Sequence, residues 1–231
     1  MDLQTIVELD RQLLLAVNGS ESLYLDMLAR CLTSAFTWIP LYIALFFLVL
    51  KNNDSVAKIV LIILSAALCV VLAGTVDDTI VKPLVARWRP THDPQIGALV
   101  DVVDGYRGGR FGFFSAHACN TFSIAMFFSL LVRSRLLTIA LIFWSLTNCW
   151  PRLYLGVHFP GDILVGLLWG AFVGVLVYLL FTRISRPFST GMTFISSKFT
   201  SAGYQHTDVD IVVAVLVFTY IYSLIRACII L

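Results

Sequence analysis

The chain has 231 residues, of which 59% are apolar and only 13% charged, and its formal net charge is +2. The apolar residues lie in long uninterrupted runs, which excludes an ordinary soluble core and describes a membrane protein. No basic stretch is interleaved with aromatic residues, so no nucleic-acid partner is expected.

Residues 1–26 carry Asp2, Glu8, Asp10, Glu21 and Asp26 among scattered apolar positions, with neither the basic start nor the cleavage pattern of a signal peptide. Ile6, Leu9, Leu13 and Leu14 recur at helical spacing. This predicts an amphipathic helix over Thr5–Val17, lying on the membrane surface and ended by the turn at Asn18–Gly19. Crossing the hydrocarbon layer takes about 20 apolar residues. The windows near that length are Cys31–Leu50, Val56–Val81, Ala116–Val132, Leu136–Pro151, Asp162–Phe181 and Val209–Ile230. The expected fold is all-α: a polytopic membrane bundle of about six transmembrane helices forming one domain over 27–231, with 1–26 as an interfacial segment. Cys31, Cys69, Cys119, Cys149 and Cys228 are odd in number and lack metal-ligand spacing, so neither disulfides nor zinc are expected.

Charge is costly inside a membrane, so its distribution at span ends is informative. Alternation through six spans puts the second connection, Lys82–Ser115, on the same face as the fourth, Arg152–Gly161. With the starts of the spans that follow, they hold Lys82, Arg87, Arg89, Arg107, Arg110, Ser115, Arg152 and Asp162, together with His92, His117 and His158, three of the four histidines. The opposite face carries short basic connections, with Lys51, Lys58, Arg133, Arg135, Arg183 and Arg186, which the positive-inside tendency assigns to the cytoplasm. The histidine-rich face is therefore expected to look outward.

Three stretches on that face stand out: KPLVARWRP at Lys82–Pro90, FFSAHACNTF at Phe113–Phe122 and RLYLGVHFPGD at Arg152–Asp162. In order and spacing they resemble the three signature motifs of the type-2 phosphatidic acid phosphatase superfamily, which also includes vanadium haloperoxidases. The first motif, Lys, six residues, Arg-Pro, is matched by Lys82, Arg89 and Pro90. The second, Pro-Ser-Gly-His, is matched at Ser115 and His117, and the third, Ser-Arg, five residues, His, three residues, Asp, at Arg152, His158 and Asp162. The sequence departs from the motifs at Phe114 for Pro, Ala116 for Gly and Pro151 for Ser.

The resemblance implies a lipid phosphatase of the bacterial inner membrane that needs no metal or other cofactor, works through a phosphohistidine and takes a phosphorylated membrane lipid as its partner. His158 would be the nucleophile, because a neutral imidazole attacks at neutral pH without a metal. Asp162 would accept a hydrogen bond from the other ring nitrogen, and His117 would protonate the leaving oxygen and later activate water. Lys82, Arg89, Arg152, the Ser115 hydroxyl and the Ala116 N–H would hold the phosphate at a helix N-terminus. Undecaprenyl pyrophosphate, a lipid A phosphate, phosphatidylglycerophosphate and phosphatidate all remain open as substrates. The competing functions are a non-hydrolytic lipid-phosphate binding or transport protein, and a haloperoxidase, whose known forms are soluble while this chain is embedded.

Singly, these residues have plainer readings. His158 alone would be an interfacial side chain, Lys82, Arg89 and Arg152 snorkelling cations, and Asp162 a helix start. Asp77 and Asp78 are expected in structural pairing with a neighbouring Arg, with lining of the pocket as the alternative, and His92 and Asp93 in a solvated turn. Arg110 is open between a headgroup contact and a loop prop.

Overall fold

A computed structural model describes residues 2–185 and 197–229. Ile230, Arg186 and much of the fifth connection lie outside the described residues. Helix α1 covers Leu3–Leu15, α2 Leu23–Thr33, α3 Ile39–Lys51, α4 Val56–Val70, α5 Lys82–Val85, α6 Ala116–Val132, α7 Arg135–Tyr154, α8 Pro160–Ser185 and α9 His206–Ile229. Among the described residues the only β pairing is two isolated bridges, so the protein is an all-helical bundle.

Helix α1 starts two residues earlier than expected because Asp2 caps it, its carboxylate accepting from the Thr5 N–H at 2.8 Å. Ile6, Leu9 and Leu13 are exposed on one side, whereas Leu14 is buried with Ile96, Val100 and Phe159. The helix thus keeps an apolar stripe exposed and anchors its end on the bundle.

The first expected span is not one straight helix. Leu23–Thr33 and Ala35–Lys51 meet at 65°. Two side chains beyond the break hold it open, Thr37 Oγ1 donating to the Cys31 carbonyl at 2.6 Å and Trp38 Nε1 to that of Leu32 at 3.0 Å. They satisfy acceptors that a continuing helix would have used. Residues 26 and 27 both fall inside α2. The second span continues unbroken from Val56 to Val85, through π-helical turns at Val71–Thr75 and Asp77–Val81. The fourth runs on past its expected end to Tyr154, so Pro151 and Arg152 sit inside the last helical part of α7. The fifth begins at Pro160, which fits a first helical turn, and Asp162 is its third residue, not its opening one.

By length and composition Val56–Val85, Pro160–Ser185 and His206–Ile229 are each able to cross a membrane, the bent α2–α3 pair makes a fourth if taken as one span, and Ala116–Val132 is apolar but shorter. At one end of the bundle the first and fifth connections meet: Asn52 Nδ2 donates to Asp208 at 3.0 Å and Asn53 Nδ2 to the Tyr204 hydroxyl at 3.3 Å. At the other end the second connection meets the fourth, Thr91 N–H donating to the Gly156 carbonyl at 3.3 Å, and the first turn of α8, Ser115 N–H donating to the Asp162 carbonyl at 3.1 Å.

That second junction depends on how closely α8 lies on α6. Gly166, Gly170 and Gly174 recur every four residues along one face of α8. A Cβ on them would lie 2.8 Å from the Ser115 carbonyl oxygen, 2.6 Å from that of Cys119 and 2.7 Å from that of Ser123. The two helices are therefore in backbone contact, the small-residue packing that membranes favour where no hydrophobic force drives helices together. Gly170→Leu should destabilise the protein by about 2 kcal/mol or more through overpacking. Thermal unfolding in detergent checks this, with Leu168→Ala on the exposed face of the same helix expected to change little.

Candidate active site

The second connection is folded back by a short clip. Arg89 N–H donates to the Arg110 carbonyl at 3.1 Å, Gly112 N–H to that of Arg87 at 2.9 Å, and Trp88 pairs with Phe111 as a bridge. Arg110 stacks its guanidinium 4.4 Å over the Trp88 ring and 5.4 Å over that of Phe111, so it props the clip. The clip fixes Arg89, whose Nε donates to the Phe111 carbonyl at 3.1 Å and whose Nη1 donates to that of Val157 at 3.2 Å. Gly112 leaves room here for the Arg89 side chain, which a Cβ would crowd at 3.0 Å, and for Asp162 Oδ2, which it would touch at 3.4 Å.

The fourth connection turns sharply after α7. Gly156 has φ +64°, a left-handed value that glycine adopts freely, and the N–H groups of Val157 and His158 both reach the Arg152 carbonyl, at 3.1 and 3.2 Å. His158 is thereby buried, with Nε2 3.3 Å from Arg89 Nη1 and Nδ1 3.6 Å from Asp162 Oδ2. A guanidinium only donates, so Nε2 accepts and the ring proton sits on Nδ1, facing the carboxylate. At 3.6 Å the expected His158–Asp162 hydrogen bond is not formed, and Nδ1 is buried without a partner. Asp162 Oδ2 is instead taken by the Phe159 N–H at 2.9 Å. Burial first, then the nearby Arg152 and Arg89 charges, push the His158 pKa well below its usual value, so the ring is neutral at neutral pH.

Arg152 is buried and donates to Thr33 Oγ1 at 2.6 Å and to the Tyr106 hydroxyl at 3.4 Å. Burial and the Arg152 charge lower the pKa of Arg89, the sign of two guanidinium groups crowded together and only partly offset by Asp162 and Asp78. The α6 N-terminus faces the same space. Ser115 caps the helix, and Ala116 and His117, as its first residues, have no carbonyl one turn back to donate to. Crowded cations and free N–H groups together make an anion site. His117 lies in that first turn, half-buried, beside the Thr33 backbone.

Lys82 is differently placed. Its Nζ lies 2.8 Å from Asp77 and 2.5 Å from Asp78, so both aspartates are in structural pairing, with Lys82 and not with a neighbouring Arg, and much of the lysine charge is already answered. Asp77 also accepts from the Phe114 N–H at 3.0 Å. A proline at 114 has no such donor, so the departure at Phe114 adds a tie between the second motif and the aspartate–lysine pair.

Sequence reasoning missed Arg87, Asp10, Thr33 and Tyr106. Arg87 donates to Asp162 Oδ1 at 2.7 Å and to Asp10 Oδ2 at 2.5 Å, and it stacks 4.3 Å over Phe159. Asp10 in turn accepts from the Gly161 N–H at 2.7 Å. Arg11 donates to Asp93 at 3.2 Å and to Gln95, so Asp93 is a buried ion-pair partner and not part of a solvated turn. The one available signal was Arg87 inside the first motif stretch, two residues before Arg89. Among the described residues no three His, Cys, Asp or Glu side chains gather as metal ligands would.

A helical membrane bundle with a neutral histidine set among crowded arginines at a helix N-terminus has the make-up of a phosphoryl-transfer enzyme. The family model of the PAP2 superfamily matches residues 55–186, and the chain belongs to that superfamily. It is a lipid phosphatase. It is 34% identical to a lipid A 4'-phosphatase of Bacteroides thetaiotaomicron over 97% of this chain and 100% of that protein. It is 35% identical to the lipid A 4'-phosphatase of Porphyromonas gingivalis over 78% of this chain and 75% of the other. A decaprenylphosphoryl-5-phosphoribose phosphatase of Mycobacterium tuberculosis is 36% identical over 42% of this chain and 50% of its own. No solved structure matches.

Removing Arg87 would leave the Asp162 carboxylate unpaired in the interior, and Arg87→Ala should cost about 3 kcal/mol of stability. Because Asp10 acts through Arg87, the Arg87→Ala/Asp10→Ala double variant should be less destabilised than the two single changes added together. Denaturation of the four proteins in a double-mutant cycle measures that coupling.

Proposed function

We propose that the protein hydrolyses a phosphate from a membrane lipid, with His158 as nucleophile, in a single membrane domain over 27–231 that faces the exterior of a bacterial inner membrane. The observation that carries this reading is His158 Nε2 lying 3.3 Å from Arg89 Nη1, with Arg152 and His117 of the first α6 turn close enough to act on the same ring electrostatically. The Nε2 lone pair attacks phosphorus, and the bond to the leaving lipid oxygen breaks. Arg89, Arg152 and the N–H groups of Ala116 and His117 offset the charge spread over the equatorial oxygens, with Ser115 holding the turn. Asp162 faces the protonated Nδ1 and offsets the positive charge that develops on the ring. His117 delivers a proton to the leaving oxygen, then takes one from the water that cleaves the phosphohistidine, regenerating both histidines and releasing inorganic phosphate. Lys82 stands at the edge of this cluster, shared with Asp77 and Asp78. No metal is used in these steps.

Among the lipids compatible with the motifs, a lipid A phosphate is favoured, because two relatives that match most of this chain are named as lipid A 4'-phosphatases. The outward orientation is supported by the basic short connections at the opposite end. The interfacial role of segment 1–26 is supported by the exposed stripe of Ile6, Leu9 and Leu13.

Purified protein in detergent with EDTA should release phosphate from lipid A in preference to undecaprenyl pyrophosphate, phosphatidylglycerophosphate and phosphatidate, and His158→Ala should abolish release. Acid-labile phosphate should be trapped on wild type but not on that variant; hydrolysis that survives His158→Ala would remove the assignment. The pH profile carries a further expectation. His158 is held neutral by burial, so it protonates only below the ordinary histidine value, and the acid limb of kcat/KM should fall below about pH 6.5. A limb at or above that value would mean that the ring is not buried among cations during turnover.

A further inference from the structure

The break between α2 and α3 separates two hollows that share one residue. On the membrane side lies an open groove of about 570 Å³ between the start of α3 and the last turns of α9, lined by Phe36, Ile39, Pro40, Val215, Phe218 and Tyr222, with Arg226 at its edge. Its apolar walls are exposed, Phe36 by 80% and Phe218 by 69%. Beyond the break is a more polar hollow of about 370 Å³ that contains Arg226 again, with Arg30, Asp104 and Ser34. Two guanidinium groups face one carboxylate there. Arg30 Nε lies 3.9 Å from Asp104 Oδ2, and among the described residues no carboxylate is within ion-pair distance of Arg226. A short chain of contacts links this hollow to the Arg152 cluster: Arg30 stacks 5.5 Å over the Tyr106 ring, and the Tyr106 hydroxyl takes its hydrogen bond from Arg152.

We infer that the lipid substrate enters sideways from the bilayer along this groove, with an acyl chain against Phe218 and Ile39 and a second anionic group of its headgroup, distinct from the reacting phosphate, on Arg226 and Arg30. This deepens the reading of the chain as a lipid phosphatase and rests on it. A plain lipid-facing helix surface needs no cation at the head of a groove. Arg226 stands where the groove and the polar hollow join, so an amphiphile placed apolar-end first meets uncompensated positive charge one step from the Arg152 cluster. The excess positive charge of the hollow selects an anion, and the apolar walls select an acylated one. The bend at Ser34 opens the groove at the level of Thr33, which also touches Arg152, so the entrance and part of the phosphate cradle are built by the same pair of helices.

The test uses phosphatidylcholine proteoliposomes and two substrates, an acylated glycolipid bearing two phosphates and a water-soluble phosphomonoester without acyl chains. Arg226→Gln, Arg30→Gln and the groove-filling Val215→Trp should each lower the preference for the lipid over the soluble ester roughly tenfold, chiefly through KM. Leu176→Trp, on a lipid-facing surface of α8 away from the groove, should leave that preference unchanged. Loss of both activities in parallel, or no change in preference, would overturn the inference. A second arm needs no turnover: a glycolipid with a photoreactive acyl chain, added to His158→Ala, should label peptides containing Phe218 or Ile39. Labelling spread evenly over the lipid-facing helices would overturn the docking site even if hydrolysis is confirmed. Groove labelling without phosphate release by wild type would sink the phosphatase reading and leave the docking site standing.

Discussion

The Asp162 carboxylate, buried at the start of α8, is the point to which the polar end of the bundle is tied. One oxygen takes the Phe159 N–H and faces His158, and the other takes the Arg87 guanidinium. Through Arg87 it reaches Asp10 on α1, and through the Asp162 backbone carbonyl it reaches the Ser115 N–H at the α6 cap. A fully buried carboxylate is tolerated only with charge-assisted partners, so the segments that supply them are held in place by the cost of leaving it bare. That constraint draws four separate pieces of chain to one point: α1, the Arg87–Arg89 clip, the His158 turn and the α6 N-terminus.

Asp162 can reach those partners only because α8 lies directly on α6. The glycine series lets the backbones touch, and the contact begins at Gly166 against the Ser115 carbonyl, one turn from the site. Packing and chemistry share a boundary there. A side chain at 166 would lift the α6 cap away from Asp162 and with it the N–H groups of Ala116 and His117, so the membrane contact and the anion cradle stand or fall together.

Much of the fold was legible because membrane helices must be long and apolar. Within the described residues the expected spans fall on helical segments, the first of them broken at Ser34, while three helices, or four with the bent pair, have the length and composition to cross a membrane. The bend at Ser34 was not legible, since it arises from Thr37 and Trp38 reaching back to carbonyls, a choice between two satisfied arrangements that composition does not distinguish. His158, Arg152, Ser115 and Asp162 came into view through the motif resemblance, and the structure places them together at one end of the bundle. Asp10 was not, because a carboxylate on the polar side of an amphipathic helix reads as solvated until the helix is docked. The glycine series at 166, 170 and 174 did have a signal, small residues four apart in an apolar run.

Lys82 shows how a motif match differs from a free charge. Its ammonium is shared by Asp77 and Asp78, so a phosphate reaching it competes with two carboxylates already in place. Arg89 is in the reverse position. Its Nη1 rests on a carbonyl and on the neutral His158 nitrogen, both weaker acceptors than a phosphate oxygen. An arriving phosphate therefore gains more from Arg89 than from Lys82. On the proposed mechanism, Arg89 turning toward the phosphate would free the Nε2 lone pair from its hydrogen bond for attack. On that mechanism the same guanidinium would both cover the nucleophile and draw the phosphate to it.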